Sequence, residues 1–191
     1  MRMTKKTSWL FAIWALAVVF IGGVLMSYHQ PFQTPSSRIL ALGGQSGAHR
    51  WTALHLLSSS CGCSQRVMLH LLQRRPFDGI AEQVVLIDGD EPSLPETTTL
   101  LARLTQEGFS VVHKAAKDIP QNIGLHGVPL LVFASSEDKI LYMGGYGVHS
   151  DQDSNILQQI RSGNSPKPIA VLGCAIGARL QREVDPFHLK Y

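Results

Sequence analysis

Three cysteines are the residues of this 191-residue chain with the clearest capacity for chemistry. Cys61 and Cys63 lie one residue apart in the stretch SSSCGCSQR, and Cys174 lies far downstream in the apolar stretch IAVLGCAIG. A cysteine thiolate is the nucleophile of thiol–disulfide exchange and also a ligand for soft metal ions. The residue types therefore predict either a redox centre or a metal site.

The sequence leaves the pairing of the cysteines open. A disulfide between Cys61 and Cys63 would close a very small ring and is expected to be strained and easily reduced. Alternatively, Cys61 or Cys63 pairs with Cys174, which then acts as a resolving or a structural cysteine. Because the number of cysteines is odd, at least one thiol is free or bonded to another molecule.

Copper(I) binding is the main alternative to redox chemistry, since soft thiolates suit this ion. Its ligands would be Cys61 and Cys63, completed by a third sulfur or by a histidine. The eight histidines are dispersed, and none forms an H-x-x-x-H or H-E-x-x-H pattern, which argues against a histidine-built zinc site. The histidines considered as copper ligands are His55, His70 and His126. A third hypothesis is a structural module with inert thiols, in which Cys174 is buried as a small hydrophobic residue.

Apolar periodicity around the cysteines predicts alternating strands and helices. Continuous apolar runs predict buried strands, and one-sided apolar spacing predicts helices. The predicted strands cover residues 51–58, 83–87, 109–113, 130–134 and 140–143, and the predicted helices cover residues 64–74, 93–107 and 151–161. Two strand–helix–strand units followed by a hairpin predict an α/β domain whose mixed sheet has a parallel core, an antiparallel hairpin and flanking helices.

This element order places Cys61 and Ser64 at the junction of the first strand and the first helix. The first backbone N–H groups of a helix lack partners inside the helix, and the helix dipole favours negative charge there. A cysteine in that position is favoured as a thiolate. The junction therefore suits either a nucleophile or a metal ligand.

Three features together resemble the thioredoxin-fold family: the cysteine motif between a strand and a helix, the element order, and Gly127-Val128-Pro129 just before a strand. The resemblance covers residues 51–162 and is closest to the membrane-tethered TlpA/ResA-like thiol:disulfide oxidoreductases. It implies a cis peptide bond before Pro129, with Val128 and Pro129 forming a wall that faces the reactive cysteine. Proline has no N–H, so it leaves the neighbouring backbone able to pair with an incoming peptide.

The cysteine motif departs from the family's C-x-x-C pattern. Residue by residue, Cys61 matches the attacking cysteine and Ser64 falls on the second cysteine, so that Cys63 is additional. The stretch C-G-C-S-Q-R is similar to a RedB-like subset with a C-x-C-S motif, and the late Leu172-Gly173-Cys174 is similar to a G-C-P element of that subset. The resemblance implies attack by Cys61 on protein disulfides, with resolution by Cys63 or, second in preference, by Cys174.

The N-terminal part predicts membrane attachment. Residues 8–28 carry no charge, and a membrane-spanning helix needs about 20 apolar residues. The alternative is a cleaved signal peptide, whose apolar core is usually only about 7–15 residues and ends at a small-residue cleavage site. Arg2, Lys5 and Lys6 precede this stretch and no Lys or Arg follows it before Arg38, so the downstream domain is expected on the extracytoplasmic side. The predicted segments are a cytoplasmic N-terminus (1–7), a transmembrane anchor (8–28), a linker (29–50), a thioredoxin-like domain (51–165) and an extension carrying Cys174 (166–191).

The expected function is therefore that of a single-pass inner-membrane oxidoreductase with its domain in the periplasm. Its expected partners are protein thiols and disulfides, a membrane or periplasmic redox partner, and the lipid bilayer. The net charge is only +3, and no basic run is mixed with aromatic residues, so nucleic acid is not an expected partner. Apart from the copper alternative, no cofactor is expected.

Overall fold

A computed structural model describes residues 5–28, 32–44, 51–89, 92–147, 149, 151–177 and 180–182. The helices are α1 (Lys5–Tyr28), α2 (Gly62–Arg74), α3 (Thr97–Gln106) and α4 (Asp153–Arg161), with short 3-10 helices at Ser37–Leu42, Ala116–Asp118 and Gln121–Ile123. The strands are β1 (Trp51–Ser58), β2 (Ile80–Asp88), β3 (Ser110–Ala115), β4 (Gly127–Val128), β5 (Leu130–Ser135), β6 (Ile140–Gly144) and β7 (Cys174–Ala175).

Five of the strands form one mixed sheet in the order β3-β2-β1-β5-β6. β1 and β2 are parallel, as are β2 and β3, whereas β5 runs antiparallel to both β1 and β6. The predicted α/β architecture, a parallel core with an antiparallel hairpin and flanking helices, is confirmed. The strands are apolar on both sides because both faces of the sheet are covered.

The two faces of the sheet are covered in different ways. One face packs against the apolar stripes of α2, α3 and α4. The other face has no long helix in the described part of the chain and packs instead against Ile39 and Leu42 of the first 3-10 helix, Ile123, and Val171. Segments from the predicted linker and the predicted C-terminal extension therefore complete the core.

α3 begins at Thr97, four positions later than the predicted start at residue 93. Leu94 precedes Pro95, and the proline ring disfavours helical backbone at the residue before it. The N–H of Leu94 instead donates to the carbonyl of Ser59 at 2.9 Å, and the Thr97 hydroxyl donates to the same oxygen at 3.0 Å. The start of α3 is therefore tied to the loop that leads to Cys61.

A buried network of charged groups joins α2, α4 and the sheet. Glu82 of β2 accepts hydrogen bonds from His55 Nε2 at 2.8 Å and from Arg74 Nη2 at 2.5 Å. Asp153 at the start of α4 accepts from Arg74 Nε at 2.6 Å and from His70 Nε2 at 2.8 Å. Arg74 thus bridges two carboxylates that would be costly to bury without partners.

Both carboxylates of this network are held in the ionised form. Burial alone would raise the pKa of Glu82, but hydrogen bonds and charges from His55 and Arg74 outweigh it and lower the pKa to about 2. Burial also opposes ionisation of Asp153, and its partners His70 and Arg74 lower that pKa to about 2. The network therefore contributes stability near neutral pH.

The apolar N-terminal stretch lies within α1, a helix of 24 residues. Among the described residues, no helix satisfies both the length and the apolarity that a membrane crossing demands. The expected transmembrane anchor at residues 8–28 is therefore not confirmed.

Candidate functional site

Cys61 lies where β1 ends and α2 begins, as predicted. It is the residue before the first turn of α2, and its carbonyl accepts the first helical hydrogen bond, from the N–H of Gln65 at 3.1 Å. The fully buried Ser64 fixes this turn because its hydroxyl accepts a hydrogen bond from the N–H of Ser58 at 2.9 Å. Ser64 therefore ties the end of β1 to α2.

A disulfide joins Cys61 to Cys174, with the two Cα atoms 6.1 Å apart. Of the pairings that the sequence left open, this is the one that the structure contains. Cys61 is only 1% exposed, whereas Cys174 is half-buried, so the bond is covered on the Cys61 side. Cys63, the partner preferred from the sequence, is free and partly exposed, and the guanidinium of Arg66 donates to its sulfur at 3.2 Å.

The segment that carries Cys174 runs beside the proline step. The Val128–Pro129 peptide bond is cis, as the family resemblance implied. β4 pairs antiparallel with β7, which places Val128 opposite Cys174 and Gly127 opposite Ala175. Cys61, Cys174, Val128 and Pro129 are therefore brought to one place, although they come from distant parts of the chain.

Residues 169–176, here called the strap, are held along most of their length. The N–H of Gly145 donates to the carbonyl of Ile169 at 2.8 Å, and the N–H of Phe32 donates to that of Val171 at 3.1 Å. At the other end, the N–H of Ile176 donates to the carbonyl of His126 at 3.2 Å. The strap is therefore attached to the loop before Pro129, to the hairpin and to the segment that follows α1.

Gly173 permits the closest approach between the strap and the proline step. A Cβ atom at this position would lie 2.0 Å from the Val128 carbonyl oxygen and 2.8 Å from Pro129 Cδ. Real Cβ atoms do not approach so closely, so any other residue would displace one backbone from the other. In the sequence, Gly173 appeared only as part of the weak G-C-P likeness, and nothing there indicated this contact.

A groove of about 590 Å³ continues from the end of the strap. Its walls are the loop before β4, including Lys117, Pro120, Leu125 and His126, and the chain just beyond Cys174, including Ile176. The groove is open to solvent on one side and mixes apolar with basic groups. It therefore offers space beside the chain that follows Ile176, whose Gly177 and Leu180 also line the groove.

The copper alternative requires Cys61 and Cys63 together as thiolates, whereas Cys61 is bonded to Cys174. His55 and His70 belong to the buried charged network. In the part of the chain that the structure describes, no group of three or more Cys, His, Asp or Glu side chains is arranged to hold a metal ion. No observation therefore favours copper binding over thiol chemistry.

Comparisons with known proteins give only distant matches. No protein-family model matches the sequence. No curated protein matches it either. A hypothetical protein from Sinorhizobium meliloti 1021, known from a crystal structure, is 16% identical with a TM-score of 0.48, and the match covers 78% of this chain and 91% of that one.

Two further solved structures are similar at the same level. An uncharacterized conserved protein from Geobacillus kaustophilus is 14% identical with a TM-score of 0.46, covering 78% of this chain and 89% of that one. An uncharacterized thioredoxin-like protein from Porphyromonas gingivalis is 13% identical with a TM-score of 0.41, and the match covers 61% of this chain and 77% of that one. Similarity at this level adds no family assignment, and the TlpA/ResA-like subtype rests on the sequence motif alone.

Proposed function

We propose that the protein is a thiol:disulfide oxidoreductase that acts on cysteines of other polypeptides through Cys61. The observation that carries the proposal is the disulfide from Cys61, at the N-terminus of α2, to Cys174, which lies opposite Val128 and beside Pro129. A purely structural crosslink has no need of a helix N-terminus or of this proline step. An exchanging disulfide benefits from both.

The proposed reaction begins with the reduced chain. The Cys61 thiolate attacks a substrate disulfide, forms a mixed disulfide with one substrate sulfur, and releases the other substrate sulfur as a thiolate. Cys174 then attacks the Cys61 sulfur, releases the second substrate thiolate, and leaves the Cys61–Cys174 bond that the structure contains. The substrate gains two electrons and the chain loses two, and the reverse sequence oxidises a substrate dithiol.

The position of Cys61 supports its role as the attacking sulfur. Negative charge on this sulfur would lie at the N-terminus of the 13-residue helix α2, where the helix dipole and the free N–H groups stabilise it. In this scheme Cys174 is the resolving cysteine, because it is the residue bonded to Cys61. Cys63, which the sequence favoured for that step, remains free.

Cysteine variants of the full chain in mild detergent test the proposal. The assay is reduction of a disulfide-bonded model protein by the reduced chain, followed by the appearance of substrate thiols. Cys61→Ser should abolish the reaction, and Cys174→Ser should stop after one step with substrate covalently bound at Cys61, as seen by intact mass. The control Leu69→Ala changes an exposed side chain on the same helix and should react like the wild type.

Two outcomes would contradict this assignment. Full activity of the Cys61→Ser chain would remove the proposed function itself. A Cys174→Ser chain that turns over normally, together with a Cys63→Ser chain that accumulates mixed disulfide, would instead make Cys63 the resolving cysteine and leave Cys61 as the nucleophile.

We further propose that α1 holds the domain at a membrane, on its extracytoplasmic side. Large apolar side chains along α1 are exposed, among them Trp9, Leu16, Phe20 and Met26, and the basic residues before the stretch support this orientation. Carbonate extraction of membranes, together with an enzyme reporter fused after Tyr191 that is active only outside the cytoplasm, tests the proposal. Release of the chain by carbonate would refute the membrane attachment. An inactive reporter on a stably expressed fusion would refute the extracytoplasmic orientation.

A further inference from the structure

We propose that the strap is a built-in mimic of the polypeptide substrate and that the preferred substrate is an extended segment with a glycine directly before its cysteine. This inference rests on the proposed function and names the substrate class of that site. In the oxidised chain, residues 169–176 occupy the place where an external polypeptide would lie during exchange.

The strap has the three contacts that a bound substrate segment would need. Its cysteine is bonded to Cys61, as the substrate cysteine is in the mixed disulfide. Its backbone runs antiparallel to Gly127 and Val128, as a strand added to the edge of β4. Its N–H at Ile176 donates to the carbonyl of His126 and extends the pairing by one more residue.

The room available to each side chain of the strap indicates which external sequence would fit in its place. Val171 is 2% exposed, so an apolar side chain is held three positions before the cysteine. Leu172 is 49% exposed, which leaves its position unconstrained. Gly173 lies against the Val128 carbonyl, where any Cβ would collide. The pattern is therefore an apolar residue, a variable residue, glycine and cysteine.

The open groove continues past the end of the strap, and this chain's own Gly177 and Leu180 are among its lining residues. Its walls run along the loop before β4 and past Ile176. A longer polypeptide paired with Gly127 and Val128 would continue into this space. Because the strap belongs to the same chain as Cys61, its effective concentration at the site is high, on the order of millimolar for a segment on a flexible connection. The strap therefore competes with external polypeptides for the site.

A chromogenic peptide tests the proposed sequence preference. The probe is the octapeptide IAVLGCAI with its cysteine bonded to thionitrobenzoate, and its matched control is IAVLACAI with the same group. In the full-length Cys174→Ser chain, the Cys61 thiolate attacks the peptide sulfur, forms the Cys61–peptide disulfide and releases the yellow thionitrobenzoate anion. We expect the alanine peptide to react roughly tenfold to a hundredfold more slowly, the size of one overpacked contact.

A second arm changes the strap instead of the peptide. Adding Gly173→Ala to the Cys174→Ser chain should weaken the strap's own pairing and accelerate reaction of the glycine peptide by roughly tenfold, because the internal competitor is displaced. The control Leu69→Ala changes an exposed side chain of α2, outside the strap, and should leave the rate unchanged. Alanine thus slows the reaction when placed in the peptide and accelerates it when placed in the strap.

The outcomes separate this inference from the proposed function. Release of thionitrobenzoate that depends on Cys61, with equal rates for both peptides or no effect of Gly173→Ala, overturns the mimic and leaves the function intact. Release at an undiminished rate in a chain lacking both Cys61 and Cys174 places the nucleophile at Cys63 and overturns the function. If Gly173→Ala abolishes the fold by circular dichroism, the comparison of the two peptides on the Cys174→Ser chain decides alone.

Discussion

Reduction of the Cys61–Cys174 disulfide should lower the free energy of unfolding by about 4–5 kcal/mol at 25 °C. The bond joins residues separated by 113 positions and so closes a loop that runs from the end of β1 to β7. A crosslink stabilises mainly by restricting the unfolded chain, and the cost of closing a loop grows with the logarithm of its length. The loop here contains most of the domain, so the effect is near the upper end for a single disulfide.

Urea unfolding of the full chain in mild detergent, followed by tryptophan fluorescence, measures this difference. With a slope of about 2 kcal/mol per molar, the midpoint should fall by roughly 2 M when the bond is reduced. Cys174→Ser and Cys61→Ser should each unfold like the reduced wild type, with or without reductant. Cys63→Ser is the matched control and should keep the full sensitivity to reductant, because its sulfur lies outside the bond.

A shift smaller than about 1 kcal/mol, below the usual range for a native disulfide, would refute the reasoning. It would mean either that the reduced, unfolded chain remains compact or that the bond does not form in solution. Alkylation of the native chain followed by mass spectrometry separates these cases. Only the second case leaves all three cysteines alkylated.

Three further predictions concern the surroundings of the site. Because the pKa of Glu82 is lowered to about 2 from 4.5, its ionised form stabilises the fold above about pH 4.5 and this contribution disappears as the pH falls toward 2. The difference is worth roughly 3 kcal/mol, so Glu82→Gln should destabilise the domain by that order and flatten the pH profile of urea unfolding. Thr97→Val removes the hydroxyl donor to Ser59 and should cost about 1 kcal/mol in the same assay. Gly145→Ala places a Cβ 2.4 Å from the Ala170 carbonyl oxygen and should cost about 1–3 kcal/mol while making the disulfide easier to reduce.

Each of these predictions has its own control. If the stability of Glu82→Gln falls at acidic pH as steeply as that of the wild type, other carboxylates set the pH dependence. Thr97→Ser keeps the hydroxyl, so its free energy of unfolding should be close to that of the wild type. Equal losses of stability in Thr97→Ser and Thr97→Val would assign the effect to packing instead. Gly62→Ala adds a methyl group where nothing lies within 4 Å. If it lowers the free energy of unfolding as much as Gly145→Ala does, the steric argument for Gly145 fails.

Local patterns predicted the half of the site that is built from neighbouring residues. The apolar run of β1 and the one-sided spacing of α2 place Cys61 at their junction, and the apolar run after Pro129 places the proline step at the start of β5. These elements form from short-range periodicity, which a sequence displays directly. The same local evidence misplaced the start of α3, because the predicted helix 93–107 gave too little weight to Pro95.

The other half of the site depends on contacts between distant segments and was left undecided by the sequence. β4 and β7 are only two residues long, so neither has a periodicity that could be recognised. Their pairing places Cys174 opposite Val128, and Cys174 rather than Cys63 is bonded to Cys61. The 3-10 helix at Ser37–Leu42 covers the second face of the sheet in the same way, with burial at Ile39 and Leu42 but no repeating pattern.

The strap both completes the hydrophobic core and closes the site. This double role limits how the proposed exchange can proceed. Releasing it would expose Val171 to water, which costs about 1.5–3 kcal/mol, and would leave the backbone of Gly127 and Val128 without its partner strand. Reduction of the disulfide removes neither of these interactions, so a reduced strap should stay in place for most of the time. An external polypeptide gains access only by replacing the strap's pairing with its own. In the proposed function, exchange at Cys61 would then be a displacement of one strand by another, and the fit of the incoming backbone at Gly173's position would decide which polypeptides react.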